Sequence, residues 1–466
     1  MLKIFLGNSP WYPLDKNLND TKVWGVRAGS RWPQYQPYIK SKKHSLYIPF
    51  PHYLSISASM LENNAFDVLL IDAVAEGMSR ETYYKKINEY RPDIIFLEVS
   101  TTSINYDIEI IKHINSQNPT SKIIVGGPHY LMYKPEFLKN FPEIDIVIMR
   151  EYEVTLIDVI KKINNNESLK NCAGIIYREK NNIIQNKERY LSDIDNFPLP
   201  AYHHLPMKEY WSNCCGLPEP HYNIWASRGC PFNCIFCLLP QLMYTDPSCK
   251  KNIIRRYSIE RILKELDYVV DKFNYNSIWF DDDTGNSDRH HLINMCKSFK
   301  ERGWDKNLNW AMLCRADLMD QELLEIMKNS GCKALQYGIE TSNQEINNAI
   351  GKNLNIKKAK EIIKITKNLG IKIQLSITFG GPGETQRTIQ DTINFVREME
   401  PYAVQFSVMT PFPGTAAYKM YKEKGWLLSD DWDNYDGTTI SVIKTDNLTA
   451  QELERAVIKG YNTWRK

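Results

Sequence analysis

Apolar and polar positions along this chain follow two different periods. The short runs KIFLG (3–7), DVLLID (67–72), DIIFLEVS (93–100), KIIVGG (122–127) and DIVIM (145–149) are apolar almost throughout. Between them lie segments with a three-to-four-residue repeat, such as SRETYYKKINEY (79–90) and NYDIEIIKHINSQ (105–117). Runs without alternation predict strands covered on both faces, and amphipathic helices between them predict a parallel sheet. Five such strands predict a doubly wound, Rossmann-like domain over residues 1–165.

The pattern then breaks. GIIYREKNNIIQN (174–186) predicts a small β-hairpin, and NFPLPAYHHLP (196–206) a proline-punctuated linker, so residues 166–215 join two halves. A second series starts with NIWAS (223–227), SIWFD (277–281), NWAMLC (309–314), ALQYGI (334–339), KIQLSITF (372–379) and AVQFSVM (403–409). Helical periodicity lies at about 258–273, 288–302, 320–330, 355–369 and 385–399. Six βα units with right-handed crossovers predict a curved parallel sheet or partial (β/α)6 barrel over 216–415, ligands sitting at the carboxyl ends of its strands. The remainder, 416–466, reads as a helical extension. Its tail LTAQELERAVIKGYNTWRK is amphipathic, starts at a Thr449 cap and is expected to pack across the barrel. The fold class is α/β.

Composition narrows the function classes. The 466 residues are 43% hydrophobic and 24% charged, enough for proper cores, and the net charge of +3 implies no nucleic-acid surface. No apolar run approaches the roughly 18 residues of a membrane span, and MLKIFLGNSPW reads as a first strand rather than an export signal. Ten cysteines share no regular spacing apart from one trio, which favours reduced thiols, a metal site and the cytoplasm over a disulfide framework.

That trio is Cys230, Cys234 and Cys237 in ASRGCPFNCIFCLLP, directly after the first strand of the second series. A structural zinc ion wants four ligands, and Cys214, Cys215 and Cys249, the nearest other thiols, form no matching pair. Three structural or zinc-bound thiols with a distant fourth ligand is one reading. The other is a [4Fe–4S] cluster, which ordinarily takes four thiolates. Held by three, it leaves one iron open to a ligand bearing an amine and a carboxylate, as S-adenosylmethionine (SAM) does. Phe232 and Phe236 interleave with the cysteines and would limit solvent access.

The remaining strand ends carry further motifs: WFDDDTGN (279–286), RAD (315–317), GIET (338–341), FGGPGET (379–385) and TPFPGT (410–415). In these and the trio the chain resembles the radical SAM superfamily. The resemblance implies that the three cysteines hold the cluster and that Asp282 and Asp283 lie where the methionine ammonium is held. It also implies that Arg315 meets the methionine carboxylate and Glu340 the nucleoside or methionine part, while Gly380, Gly381 and Gly383 approach the adenine. By residue type alone, Asp281 to Asp283 equally suit a helix cap, Arg315 a plain salt bridge, and the glycines two turns. Gly285 departs from the pattern, since relatives commonly place an aromatic there.

The first half lacks G-x-G-x-x-G after its first strand. Its VSTTS (99–103), IIVGGPHY (123–130) and IMREYEVTL (148–156) are similar to the cobalamin-binding domain that precedes many radical SAM domains, with V-G-G-P-H and R-G-E-x-E-x-T segments. The resemblance implies cobalamin contacts from Ser100, Thr101, Thr102, Gly126, Gly127 and Glu151. No histidine sits in D-x-H-x-x-G; Asp288 and His290 come nearest but lie in the other half, and His129 is either a cobalt ligand or a loop residue. In GVRAGSRWPQY (25–35), Arg27 and Arg31 either meet an anionic group, with Trp11 and Trp32 as apolar walls, or form surface ion pairs.

Taken over residues 1 to about 435, the resemblance implies a cobalamin-dependent radical SAM enzyme. Its expected reaction is methylation of an unactivated carbon through a 5′-deoxyadenosyl radical and methylcobalamin, with electrons from an external flavodoxin- or ferredoxin-type donor. Two other readings stand beside it: cyclisation, oxidation or rearrangement without methyl transfer, and a non-catalytic cobalamin carrier or sensor with a structural cluster. The residues name neither a substrate (small molecule, lipid or peptide) nor a catalytic side chain.

Overall fold

The computed structural model describes residues 2–10, 48–127, 129, 134–210, 216–238, 252–435 and 440–464. Segment 25–35 with Arg27 and Arg31, together with Trp11, Trp32, Cys214, Cys215 and Cys249, lies outside the described residues. Two compact units result, the first holding most of residues 1–211 and the second most of 212–466.

The first unit is built on strands β1 (Lys3–Asn8), β2 (Asp67–Asp72), β3 (Ile94–Glu98), β4 (Lys122–Gly126), β5 (Ile146–Ile148), β6 (Ile175–Glu179) and β7 (Asn182–Gln185), in the order β2-β1-β3-β4-β5-β6-β7. β1 to β5 are parallel, and the expected hairpin β6–β7 adds two antiparallel strands at the edge beyond β5. The uninterrupted apolar runs have their physical reason here. Ile123, Ile124 and Val125 of β4 are fully buried, and each contributes roughly 1.5–3 kcal/mol relative to an exposed position. The order reverses between β1 and β3, which opens a crevice at their carboxyl ends.

The second unit contains a six-stranded parallel sheet in simple sequence order, formed by β8 (Tyr222–Ile224), β11 (Ser277–Phe280), β12 (Asn309–Cys314), β13 (Cys332–Glu340), β14 (Lys372–Phe379) and β15 (Ala403–Val408). A short antiparallel pair, β9 (Ser227–Arg228) with β10 (Arg255–Arg256), lies just beyond β8. Connecting helices begin at the polar caps that the sequence offers. Ser258 caps Ile259–Phe273, which stops at Asn274 in a left-handed conformation, and Thr385 caps Gln386–Met399 through a capping box. Trp279, Ala311, Ala334 and Leu217 form a buried cluster, with Leu313 packed against it. The C-terminal helix Ala450–Trp464 starts after Thr449, whose hydroxyl accepts from Glu452 N at 3.3 Å. It packs on β15 and on Gln386–Met399, and the Tyr461 hydroxyl accepts from Phe406 N at 3.2 Å. No helix of the described residues is long and apolar enough to cross a membrane.

Candidate active site

The three thiols sit on the loop leaving β8, Cys230 buried and Cys234 and Cys237 partly so. The loop is clamped from several sides. Gly229 takes φ +112 directly beneath the Ile253 carbonyl, where a Cβ would collide, and its N–H donates to Asp283 at 3.1 Å. Ile235 N donates to Ile350 O at 3.0 Å, Ala417 N to Ile235 O at 2.9 Å, and Cys237 N to Cys234 O at 3.2 Å. The Thr284 hydroxyl lies 3.2 Å from Cys230 Sγ. Burial pushes the Cys230 thiol up and Thr284 draws it back. Burial likewise raises Cys234, against the cations Lys352 and Arg315.

Asp282 and Asp283 tie the end of the second strand to the cysteine loop. Buried Asp282 accepts from Ala226 N at 3.1 Å and from the Ser227 hydroxyl. Neither aspartate caps the following helix, Arg289–Glu301. Asp288 does, accepting from His291 N at 3.1 Å. A Cβ on Gly285 would run into the Met312 side chain, which would have to move aside for the aromatic that the resemblance leads one to expect there.

Arg315 is buried and fully engaged. It makes a two-pronged pair with Asp317 at 2.9 and 2.8 Å, donates to Lys352 O at 2.8 Å, and stacks 3.7 Å over the Phe232 ring. The plain salt bridge is therefore present, and the same guanidinium braces the cysteine loop. Asn286 brackets its backbone, donating to Arg315 O at 2.8 Å and accepting from Arg315 N at 2.9 Å.

Glu340 closes β13 with φ +64, an uncommon conformation for a residue with a side chain, at a register shift against β14. Its carboxylate receives Lys352 Nζ at 2.7 Å and the Thr378 hydroxyl at 3.0 Å. Lys352 is buried too. Desolvation is the largest single influence and would lower its pKa, but the Glu340 charge and hydrogen bond together with the Cys234 thiol outweigh it, and the net shift is upward. A Cβ on Gly338 would lie 2.7 Å from both Glu340 Oε1 and Lys352 Nζ, so that glycine makes room for the pair. Lys352, Thr284, Asn286 and Thr378 were not singled out from the sequence. A buried strand-end carboxylate calls for a cation, but nothing local marks Lys352, 12 residues further on, as the one that answers.

The glycine motif after β14 divides in use. Cβ atoms on Gly380 and Gly381 would lie 2.9 Å from Ile443 and from Ile346 respectively, whereas Gly383 is exposed with open space around it. Gly383 is thus the glycine free to face a ligand. Glu384 is fully buried and accepts from Gly380 N, and burial raises its carboxyl to about 7. A carboxyl raised above its unfolded value of 4.5 favours the folded state most below that value, and the benefit is lost as pH rises through about 7. Relative to Glu384→Gln, the wild type is expected to lose roughly 3 kcal/mol of unfolding free energy between about pH 5 and about pH 8. Urea unfolding of both proteins at the two pH values checks this.

In the first unit, the candidate cobalamin contacts gather at the carboxyl ends of β3, β4 and β5. Ser100, Thr101 and Thr102 are buried. Ser100 Oγ lies 3.2 Å from Thr102 Oγ1, and Thr101 Oγ1 lies 3.1 Å from Nδ1 of buried His129. Burial lowers His129 to about 3, so its imidazole is neutral. Gly127, at φ +110, and Gly126 have no room for a Cβ, against Val99 O at 2.5 Å and Phe96 at 3.0 Å. Arg150 takes φ +62 at the position of the pattern's glycine, leading into half-buried Glu151. At the end of β1, buried Asn8 Oδ1 has no hydrogen-bond partner among the described residues. An open cavity of about 710 Å³ lies beside His129, lined by Ile104, Ile108, Phe137, Phe141 and Trp432 among others.

The profile of the Radical SAM superfamily matches residues 226–396, and that of the B12 binding domain matches residues 47–160. An uncharacterized methyltransferase of Pyrococcus horikoshii is 29% identical over 415 residues, covering 88% of this chain and 86% of that one. The cytidylyl-2-hydroxyethylphosphonate methyltransferase of Streptomyces wedmorensis is 23% identical, covering 81% and 79%. The solved structure of the radical S-adenosylmethionine methyltransferase TsrM from Kitasatospora setae, with cobalamin and a [4Fe–4S] cluster bound, aligns with a TM-score of 0.67 at 15% identity. It covers 91% of this chain and 75% of that one.

Proposed function

The chain belongs to the radical SAM enzymes that carry a cobalamin-binding domain, and from that premise we propose that it methylates an unactivated carbon of its substrate. Its cofactors are a [4Fe–4S] cluster, SAM and cobalamin, which when bound supply reductive SAM cleavage, hydrogen abstraction and a transferable methyl group. The observation that carries the reading is the meeting of three thiols with the Glu340–Lys352 pair at the carboxyl end of one parallel sheet.

The residues present fit these groups. Cys230, Cys234 and Cys237 would hold the cluster, on a loop braced by Asp283, Ile350 and Arg315. Glu340 offers a carboxylate to the hydroxyls or ammonium of SAM, and Lys352 offers a cation beside Cys234 for an anionic group. Gly383 lets backbone approach a flat base. In the first unit, the hydroxyls of Ser100, Thr101 and Thr102 and the Asn8 amide suit an amide-fringed corrin edge.

Burying the reacting centre keeps a carbon radical from water. The proposed electron source is an external low-potential donor of flavodoxin or ferredoxin type and the proposed compartment the cytoplasm, a reading that the irregular cysteine spacing supports.

Anaerobic protein with reconstituted cluster and cobalamin is expected to cleave SAM to 5′-deoxyadenosine and to give a product heavier by one methyl group. A product without that mass gain would turn the reading to cyclisation or oxidation. Absence of SAM cleavage would leave a carrier or sensor.

A further inference from the structure

The first unit brings together two imidazoles and a carboxylate. His203 Nε2 and His204 Nε2 lie 2.9 and 2.8 Å from the same oxygen, Glu62 Oε1. The two rings are 4.3 Å apart, and among the described residues all three ligand atoms fall within 4.8 Å of one another. We propose that Glu62, His203 and His204 form a divalent transition-metal site, of the kind that takes zinc, which fastens the segment before the second unit to the first unit's helix His52–Glu62.

Four observations carry it. The donor set, two imidazoles and one carboxylate, is one that zinc accepts, with solvent in the fourth position. The short turn Tyr202–His204 brings two adjacent imidazoles onto the one oxygen Glu62 Oε1. Metal–ligand bonds of about 2.0–2.1 Å would set the donor atoms roughly 3.4 Å apart, so each imidazole nitrogen has to move away from Glu62 Oε1 by only about half an ångström. Lastly, Glu62 closes its helix at the end where backbone carbonyls accumulate negative charge. A carboxylate is disfavoured there, and a bound dication offsets both.

The frame is already rigid. Ala201 N donates to Ser55 O at 3.0 Å, and the Ser59 hydroxyl to Leu199 O at 2.6 Å. Tyr202 packs 5.8 Å from the Phe50 ring. Without metal, each Nε2 carries a hydrogen toward Glu62. With metal, that proton moves to Nδ1 or is lost to solvent, and the freed lone pair binds. The bond would close a loop of 141 residues between Glu62 and His203, a long-range crosslink that restricts the unfolded chain.

The test uses the full chain with its cluster reconstituted, so that the cysteine trio is occupied, titrated with Co2+ and Zn2+. The expected result is one ion per chain in excess of the cluster, with weak visible cobalt bands and no thiolate charge-transfer absorption. Affinity should fall at least tenfold in His204→Ala, in His203→Ala and in Glu62→Gln. Zinc should raise the unfolding midpoint of the wild type and not that of the variants. His203 is exposed, so His203→Ala is expected to match the metal-free wild type in stability and serves as the folding control. Binding that survives these substitutions, cobalt spectra with thiolate character, or only weak uptake of several ions overturns the proposal.

Discussion

Cys234→Ala is expected to lose the brown absorption of the cluster completely and to reduce SAM cleavage to the uncatalysed background. On the proposed assignment each thiol of the trio would be a cluster ligand, and the loop that carries them, from Gly229 to Cys237, is pinned by Asp283, Ile350 and Ala417, so the loss of one is not made good by a shift of the loop. Fold loss would not explain such a result. Cys234 is only partly buried on a loop, and its truncation should change stability by no more than about 1 kcal/mol. Cys296→Ala is the matched control. That thiol is buried in helix Arg289–Glu301, where burial raises it to about 11, and its loss should leave both absorption and cleavage intact. Iron analysis, visible spectra and anaerobic cleavage assays of the two variants decide it. Retained cleavage in Cys234→Ala would overturn the assignment of the trio.

Lys352→Met should be the most damaging change away from the cysteines. The methionine matches the stem but strands the Glu340 carboxylate, buried, with the Thr378 hydroxyl as its remaining hydrogen bond of those described. Breaking one half of a buried ion pair costs roughly 3–5 kcal/mol, and SAM affinity should fall by at least about tenfold, a loss of about 1.4 kcal/mol or more. The double variant Glu340→Gln with Lys352→Met separates the two effects. It has no stranded charge, so unfolding free energy should recover by about 2 kcal/mol or more, whereas SAM binding measured by equilibrium dialysis should not. Recovery of both would make the pair a structural feature only.

Much of the fold was legible because it rests on local periodicity. β2 and β14 coincide with the apolar runs 67–72 and 372–379, and the helix Ile356–Asn368 falls within the expected 355–369. These segments bury one stripe or both faces whatever their distant partners are, so the signal is complete within a dozen residues. The hairpin at 174–186 was legible as a hairpin. Its pairing with β5 was not, since an antiparallel edge strand carries no mark of the strand it will join.

The site divides along the same line. The sequence alone determined that three thiols share one loop, that Glu340 ends a buried strand and that a glycine turn follows β14, because spacing and neighbours carry that information. Only the tertiary structure decided what each charge meets. Arg315 is taken up by Asp317 and Phe232, Lys352 reaches Glu340 across 12 residues, and Asp282 returns to Ser227 across 55. Glu62 meets His203 across 141. The physical reason is range: hydrophobic period is written in adjacent residues, whereas a buried charge is neutralised by whichever group the packed sheet brings within about 3 Å, at any distance along the chain.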